Sequence, residues 1–513
     1  MDGINFKIIF VFLVVSVSIS LGTDGFYKDI FMDGGVNLTS RTTLPASDSL
    51  HLDMEYLATE NQAIQDSLYI ESEYDENGIL LYPDGQPRFR LIYTNGGSAT
   101  NHGNSMGEDG RERIRQFFHN GGSYTGSCAG AFISSISYLS SGIWNPYYHI
   151  WPGRTASTGV SGVYTGHFIE SGCALLDYFD FGGDMYIDNI IHMGGCYARE
   201  TIDYPPETEV LLRYDYSSAT MHMKPSCWAY KSVDTTGRIV VIGSHPEGIE
   251  SGERLNLMQA ILLYALDGVG TPGIKAILSN GETVYMDRFT SHDDPLHTRI
   301  GDKQYHHFRI NLPDTVYHLR VNMDGEDGYP FNLYLNHGDF AYQYSSDYYD
   351  TSSSSDKILD LPIAIAGDWF IGIECDTTVD IVPTSWGFRY NGALEVLDGL
   401  PYNLTVYWDS TLNIEENLAL LPNVDLRGVY PNPFNIETAI EIEITRDSEI
   451  ELMIYNVQGQ LVRIIFDDYL IAGNHRFVWD GTDNMGNRVQ SGMYLIRLKN
   501  GKRRITKRIM LVK

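Results

Sequence analysis

Residues 121–132 read Gly121-Gly122-Ser123-Tyr124-Thr125-Gly126-Ser127-Cys128-Ala129-Gly130-Ala131-Phe132. The stretch predicts a short strand, a sharp turn at Cys128 and a helix running to about Leu139. Glycines two residues before and two residues after the cysteine make the pattern of a nucleophile elbow, with cysteine where serine usually stands. Such a turn holds the nucleophile in a strained backbone conformation, and its flanking residues have no room for a Cβ. A cysteine there lies at a helix N-terminus, where the peptide dipoles favour the thiolate. The same residues also suit a buried cysteine in a glycine-rich strand-to-helix turn. The two readings separate on what else the chain supplies.

A nucleophilic thiol needs a base, and the base needs a group that orients it. Ser244-His245-Pro246-Glu247 follows directly on the apolar strand Ile239-Val240-Val241-Ile242. The proline limits the local backbone, so both flanking side chains can project from one tight turn at a strand end. His245 would take the Cys128 proton, and Glu247 would hold the imidazole by its other nitrogen. Acyl transfer also needs donors for a developing oxyanion. The backbone N–H of Ala129 is one candidate. The turn at Gly96-Gly97, after the apolar run Phe89 to Thr94, offers the others, because glycine lets backbone approach a substrate closely. Cys128, His245 and Glu247 are therefore the candidate catalytic residues, and Gly96, Gly97 and Ala129 the candidate oxyanion hole. No cofactor or metal is expected, because no CxxC and no His/Cys spacing suggests a metal site.

The surrounding pattern alternates over residues 23–272. Tyr27 to Met32 reads as a strand, Leu44 to Leu57 as a helix, Phe89 to Thr94 as a strand and Asp109 to Phe118 as a helix. After the elbow, Glu209 to Tyr214, Cys227 to Lys231 and Arg238 to Gly243 read as strands, and Ser251 to Leu266 as an amphipathic helix. The alternation predicts a doubly wound, flavodoxin-like α/β sheet with helices on both faces, its active residues gathered at the C-terminal strand ends. Residues 141–170 form a long Gly/Ser/aromatic stretch that carries Trp144, Tyr147, Tyr148, Trp151 and Tyr164, which suits either a cover for the pocket or plain surface-loop packing.

From residue 280 to 410 the pattern turns all-β, and a β-sandwich is expected. Residues 411–424 read as a linker, and 425–513 as a small Ig-like sandwich. The last stretch is basic, with Lys499, Lys502, Arg503, Arg504, Lys507, Arg508 and Lys513 and no acid between them. A solvated edge strand, where lysines discourage edge pairing, accounts for it.

With 513 residues the chain is long enough for several domains and a sizeable core. Its net charge of -30 excludes a nucleic-acid partner, since nothing offsets phosphate repulsion. Ile8 to Ser20 is an apolar run after Lys7, with Ser20 and Gly22 positioned for cleavage, so residues 1–22 read as a signal peptide. No later stretch is long enough for a membrane span. Five cysteines remain (Cys128, Cys173, Cys196, Cys227 and Cys375), and the odd count leaves at least one thiol unpaired within the chain. Cys173 and Cys196 could pair, but their spacing does not establish it.

Residues 25–270 resemble the class I glutamine-amidotransferase-like superfamily, and within it the biotin-protein-ligase N-terminal-like family. The resemblance rests on Gly121-Gly122-Ser123-Tyr124-Thr125-Gly126-Ser127-Cys128-Ala129-Gly130-Ala131, Trp151-Pro152-Gly153, His192-Met193-Gly194-Gly195 and Gly243-Ser244-His245-Pro246-Glu247, in that order. It implies that Cys128 is the nucleophile, His245 the base and Glu247 the orienter. Cys196-Tyr197 departs from the family pattern, where a further small residue is expected. No synthetase half and no phosphate-binding loop accompany the domain, so the resemblance implies hydrolysis or acyl transfer on an amide or ester of a small molecule or peptide. The alternative is a non-catalytic surface-binding module that keeps the fold.

The middle region, with Tyr305-His306-His307-Phe308, Gly367-Asp368-Trp369-Phe370 and Tyr402-Asn403-Leu404-Thr405, resembles the bacterial pre-peptidase C-terminal domain. The end of the chain, with Tyr430-Pro431-Asn432-Pro433-Phe434, Trp479-Asp480-Gly481-Thr482-Asp483 and Gly492-Met493-Tyr494, resembles the sorting domain of type IX secretion, related to the flagellar-hook-capping Ig-like domain. That resemblance implies export to the outer-membrane surface or beyond it, with the secretion machinery as a partner.

Overall fold

The structure, a computed structural model, describes residues 28–33, 52–56, 66–72, 74–201, 204–217, 220–248, 251–289, 294–343, 345–384, 387–410, 424–456, 459–501 and 503–512. The signal-peptide reading of 1–22 lies outside these residues, as does the linker reading of 411–424 up to Val424. The chain divides into two compact units. One comprises Phe26–Pro272 with Val379–Asp398, and the other Gly273–Thr378 with Gly399–Lys513.

The first unit begins with β1 (Lys28–Asp33), β2 (Leu52–Tyr56), β3 (Phe89–Thr94), α1 (Ala99–His119), β4 (Ser123–Ser127) and α2 (Ala129–Ser134). It continues through β5 (Thr155–Ser157), β6 (Ser161–Ile169), β7 (Tyr186–Met193), β8 (Cys196–Ala198), β9 (Thr208–Asp215), β10 (Pro225–Tyr230), β11 (Ile239–Ile242) and α3 (Glu253–Leu266). Its nine-stranded sheet has the order β2-β1-β3-β4-β11-β10-β9-β6-β7. The five strands from β2 to β11 run parallel. The remaining four are antiparallel.

This corrects the doubly wound α/β expectation. Parallel neighbours need long, usually helical crossovers, whereas antiparallel neighbours need only a turn. Between β4 and β11 the chain carries six strands, β5 to β10, and α2 is only six residues long. The short link from β10 to β11 makes a hairpin rather than a crossover. The sheet is therefore mixed and the described chain is predominantly strand. Leu52–Tyr56 is also a strand where a helix is expected, pairing parallel with β1.

Helix α1 starts at Ser98, whose hydroxyl accepts from the backbone N–H of Asn101. It breaks from helical geometry at Gly107 (φ 68°), which is why only the segment after the break carries a clear helical pattern. Its Ile114, Phe117 and Phe118 are buried against the sheet as that pattern predicts. Ile239, Val240, Val241 and Ile242 of β11 are all 0–1% exposed. Burying each such side chain contributes about 1.5–3 kcal/mol, so the strand that carries His245 is firmly seated.

The second unit runs through β12 (Ile274–Ile277), β13 (Thr283–Met286), β14 (Tyr305–Leu312), β15 (Val316–Gly325), β16 (Phe331–His337), β17 (Tyr348–Asp350), β18 (Lys357–Ala364) and β19 (Gly367–Cys375). The next hairpin, β20 (Val379–Thr384) and β21 (Gly387–Gly392), belongs to the first unit, where Ile381 and Tyr390 pack into its core and Tyr390 donates to Asp75 at 3.3 Å. The chain returns with β22 (Tyr402–Asp409), then β23 (Val424–Tyr430), β24 (Thr438–Ile444), β25 (Ser448–Asn456), β26 (Leu461–Leu470), β27 (Gly473–Trp479), β28 (Gly492–Asn500) and β29 (Arg503–Leu511).

One nine-stranded sheet, β12-β14-β19-β16-β17-β29-β28-β25-β26, runs through both sequence regions. The join is narrow: Tyr348 pairs with Arg503, and the Arg504 N–H donates to the Asp347 carbonyl at 2.8 Å. At its first residues β29 is covered by β17, while Lys507 and Arg508 further along the strand stay exposed. Over β25 and β28 lies a three-stranded sheet, β23-β24-β27, and Val424, Ile440, Ile442, Leu452, Ile496 and Trp479 fill the layer between.

Candidate functional site

Cys128 follows the last residue of β4 and precedes α2, with φ 50° and ψ -102°. A non-glycine residue at such a φ is strained. The elbow is held by the Cys128 N–H, which donates to the Ile242 carbonyl at 2.9 Å. The flanking glycines are steric necessities. A Cβ on Gly126 would lie 2.6 Å from the Gly130 carbonyl carbon, and one on Gly130 would lie 2.0 Å from the Thr94 carbonyl oxygen.

β11 runs parallel to β4, so its C-terminal end delivers the next turn beside the elbow. There His245 donates its backbone N–H to the Ile191 carbonyl at 2.8 Å, and a short 3₁₀ turn over Pro246–Gly248 brings Glu247 back under the ring. His245 Nδ1 lies 2.8 Å from Glu247 Oε1, with the carboxylate side chain 1% exposed. A carboxylate only accepts, so Nδ1 is the donor and Nε2 faces the thiol. Burial pulls the imidazole pKa down, but hydrogen bonds to Cys128 and to Glu247, with their charges, outweigh it and raise it to about 10. The ring is therefore held as imidazolium at neutral pH, the partner a thiolate requires. Gly96 closes against the same ring: a Cβ there would sit 2.2 Å from His245 Cε1.

Two residues not named among the sequence candidates complete this arrangement. Ser127 Oγ donates to Glu247 Oε1 at 2.6 Å, and Tyr93 OH lies 3.0 Å from Ser127 Oγ. Burial, then the Glu247 charge, push the Tyr93 phenol up, so it stays protonated. Both residues stand on neighbouring parallel strands whose ends converge on the elbow, a placement that the sheet pairing supplies. Ser127→Ala removes a hydrogen bond to a charged group, about 1.5 kcal/mol. The expected outcome is roughly a tenfold drop in the rate at which iodoacetamide alkylates Cys128, with the circular-dichroism spectrum unchanged.

The candidate oxyanion donors divide. Gly96 and Ala129 line one small cleft with Thr94, Asn95, His102 and Ile133, whereas Gly97 is exposed and absent from that lining. His102 carries no motif in the sequence either. Its Nε2 is 2.8 Å from Tyr148 OH and 3.2 Å from Asp33 Oδ2, all three residues being buried. Tyr147, Tyr148 and Trp151 are core residues rather than a cover for the pocket, and Tyr164 is 62% exposed on β6.

Behind the His245 turn, His192 Nδ1 contacts Ser244 Oγ at 3.0 Å and its Nε2 contacts Thr158 Oγ1 at 2.7 Å. Burial, then the His245 charge, lower its pKa to about 4, so it stays neutral. Gly195 packs where a Cβ would lie 1.6 Å from the Gly243 carbonyl oxygen. Cys196 is fully buried and its carbonyl accepts from Tyr214 OH at 2.8 Å. All five cysteines are free, so Cys173 and Cys196 do not pair.

Residues 434–503 match the family model of the FlgD Ig-like domain. No curated protein matches the chain. Among solved structures, a glutamine amidotransferase aligns at 17% identity over 36% of this chain and 81% of its own, with a TM-score of 0.26. The pre-peptidase C-terminal domain of a collagenase from Bacillus anthracis aligns at 12% identity over 26% of this chain and 96% of its own, TM-score 0.17. Dimeric latent PorU from Porphyromonas gingivalis aligns at 12% identity over 64% of this chain and 26% of its own, TM-score 0.16. Likenesses this distant carry no argument about what the chain does. No helix among the described residues is long and apolar enough to cross a membrane.

Proposed function

We propose that the chain is an exported cysteine hydrolase or acyl transferase of the glutamine-amidotransferase-like superfamily, acting on an amide or ester. The observation that carries the reading is His245, hydrogen-bonded to Cys128 on one side and to Glu247 at 2.8 Å on the other. In the proposed step the Cys128 sulfur attacks the carbonyl carbon and forms a tetrahedral oxyanion beside the Ala129 N–H and the Gly96 backbone. His245 gives its proton to the departing amine or alcohol, leaving a thioester. Water, deprotonated by His245, then releases the acid and restores the thiol. Glu247 holds the ring and balances the imidazolium charge throughout, without itself taking the proton.

Export and surface attachment are part of the proposal. They are supported by the apolar N-terminal run and by the FlgD Ig-like match combined with the basic chain end, read as a sorting domain. The test is hydrolysis of a panel of glutamine amides, peptides and short esters by wild type and Cys128→Ala. The reading expects turnover of at least one amide or ester by wild type and none by the variant. Equal background rates from both would overturn it in favour of a binding module.

A further inference from the structure

The basic chain end is built into a pocket. Strand register places Lys499 opposite both Glu451 and Arg504, and Arg497 opposite both Met453 and Thr506. Alternation along β25, β28 and β29 then puts all of these on one face, because Leu452, Ile454, Ile496 and Leu498 fill the core on the other. Like charges directly opposite each other across strands destabilise a sheet, so Lys499 against Arg504 is an arrangement that calls for compensation.

Among the residues that line the pocket the compensation is incomplete. A cavity of about 150 Å³ is lined by Tyr349, Glu451, Tyr455, Arg497, Lys499 and Arg504. Its one lining carboxylate, Glu451, is held by Lys499 at 2.8 Å. Three cations against one carboxylate leave a formal +2 in a chain of net charge -30. Arg497 stacks over Tyr455 at 4.3 Å and Arg504 over Tyr349 at 4.4 Å, which fixes both guanidinium planes. Arg504 is 6% exposed and donates from Nε to the Ser346 carbonyl at 3.0 Å. Burial, then the Arg497 charge, lower its pKa to about 10. Arg497 Nε and Nη2 and Thr506 Oγ1 are buried with no hydrogen-bond partner among the described residues. Buried donors without acceptors are rare in folded chains, and two on one guanidinium make an open fork.

We propose that Arg497, Lys499 and Arg504 form a binding site for a phosphate group, free or carried as an ester on a sugar. A phosphate monoester carries about −1.5 to −2 charge at pH 7, the complement of the pocket, and its oxygens suit a bidentate guanidinium. The tyrosine rings give the carried group an apolar wall.

The experiment is titration of the full chain by calorimetry and thermal melting with inorganic phosphate, glucose 6-phosphate and glucose, against chloride at matched ionic strength. Phosphate is expected to bind and raise the melting temperature, glucose to do neither, and Arg497→Gln to weaken phosphate binding at least tenfold. Glu451→Gln removes the neutralising carboxylate and is expected to tighten it, an outcome that misfolding would not produce. Tighter binding of glucose 6-phosphate than of phosphate assigns a sugar-borne group, and equal affinities assign the free ion. Melting that neither anion shifts beyond chloride, or unchanged affinity in both variants, overturns the proposal.

Discussion

Gly130→Ala is expected to destabilise the first unit by ~3 kcal/mol, the upper end of ordinary overpacking penalties. The added methyl would stand 2.0 Å from the Thr94 carbonyl oxygen. That neighbour is backbone at the end of β3, not the tip of a flexible side chain. Relief requires α2 to lift away from β3, and β3 carries the Asn95-Gly96 turn that packs against His245. Stability and site geometry are therefore lost together. Gly273→Ala is the control, because a Cβ there meets nothing within 4 Å, and its effect should stay within ~0.5 kcal/mol. Urea midpoints of the two variants at a common slope measure the difference. Indistinguishable midpoints would mean that the elbow is not packed as described.

Glu247→Gln is expected to have the largest effect on chemistry with the least change of shape. The amide keeps the size of the side chain, but the ring of His245 loses the buried charge that opposes its desolvation. Its pKa should fall from about 10 toward the ordinary histidine value of about 6.5. A histidine whose folded pKa is raised contributes stability that is fully present below pH ~6.5 and is lost as pH climbs through about 10. In the variant that alkaline loss should flatten. Turnover should drop by about 10²–10⁴-fold, the range associated with general acid–base groups. Histidine resonances followed by NMR titration give the pKa directly. An unchanged His245 titration would show that Glu247 does not govern the ring.

The elbow was legible because its residues have few alternatives: a methyl added at Gly126 or at Gly130 would meet backbone atoms at 2.6 and 2.0 Å, so only glycine fits. Strands such as β3, β11, β15 and β25 were legible because their apolar residues run continuously or alternate. The His245-Pro246-Glu247 turn was readable from its place after β11. Ser127 and Tyr93 were not, since neither adds to a local motif; the sheet brings them to Glu247 by pairing β3 with β4. β6 and β7 were hidden by glycines and polar residues in two-sided strands of uneven burial, which show no clean alternation. Without them residues 141–170 read as a covering stretch with no strand, and the doubly wound sheet followed wrongly. Leu52–Tyr56 misled for a different reason: five residues are too few to distinguish helical from strand periodicity. That β17 meets β29 at Tyr348 and Arg503 was not legible, because the pair joins residues far apart in the sequence.

The central claim is that Cys128 is an activated nucleophile and not a buried thiol. Burial pushes Cys173 and Cys375 up to about 12, and raises Cys196 and Cys227 as well, so all four should be inert near neutral pH. The direct test is a timed iodoacetamide reaction at pH 7 on the native chain, with the five cysteines quantified by peptide mapping in wild type and His245→Ala. The account predicts that Cys128 is modified first, well ahead of the others, and that His245→Ala slows it by about 10²-fold or more. Labelling of Cys128 at the same rate as the other thiols, or at a rate indifferent to His245, would contradict it.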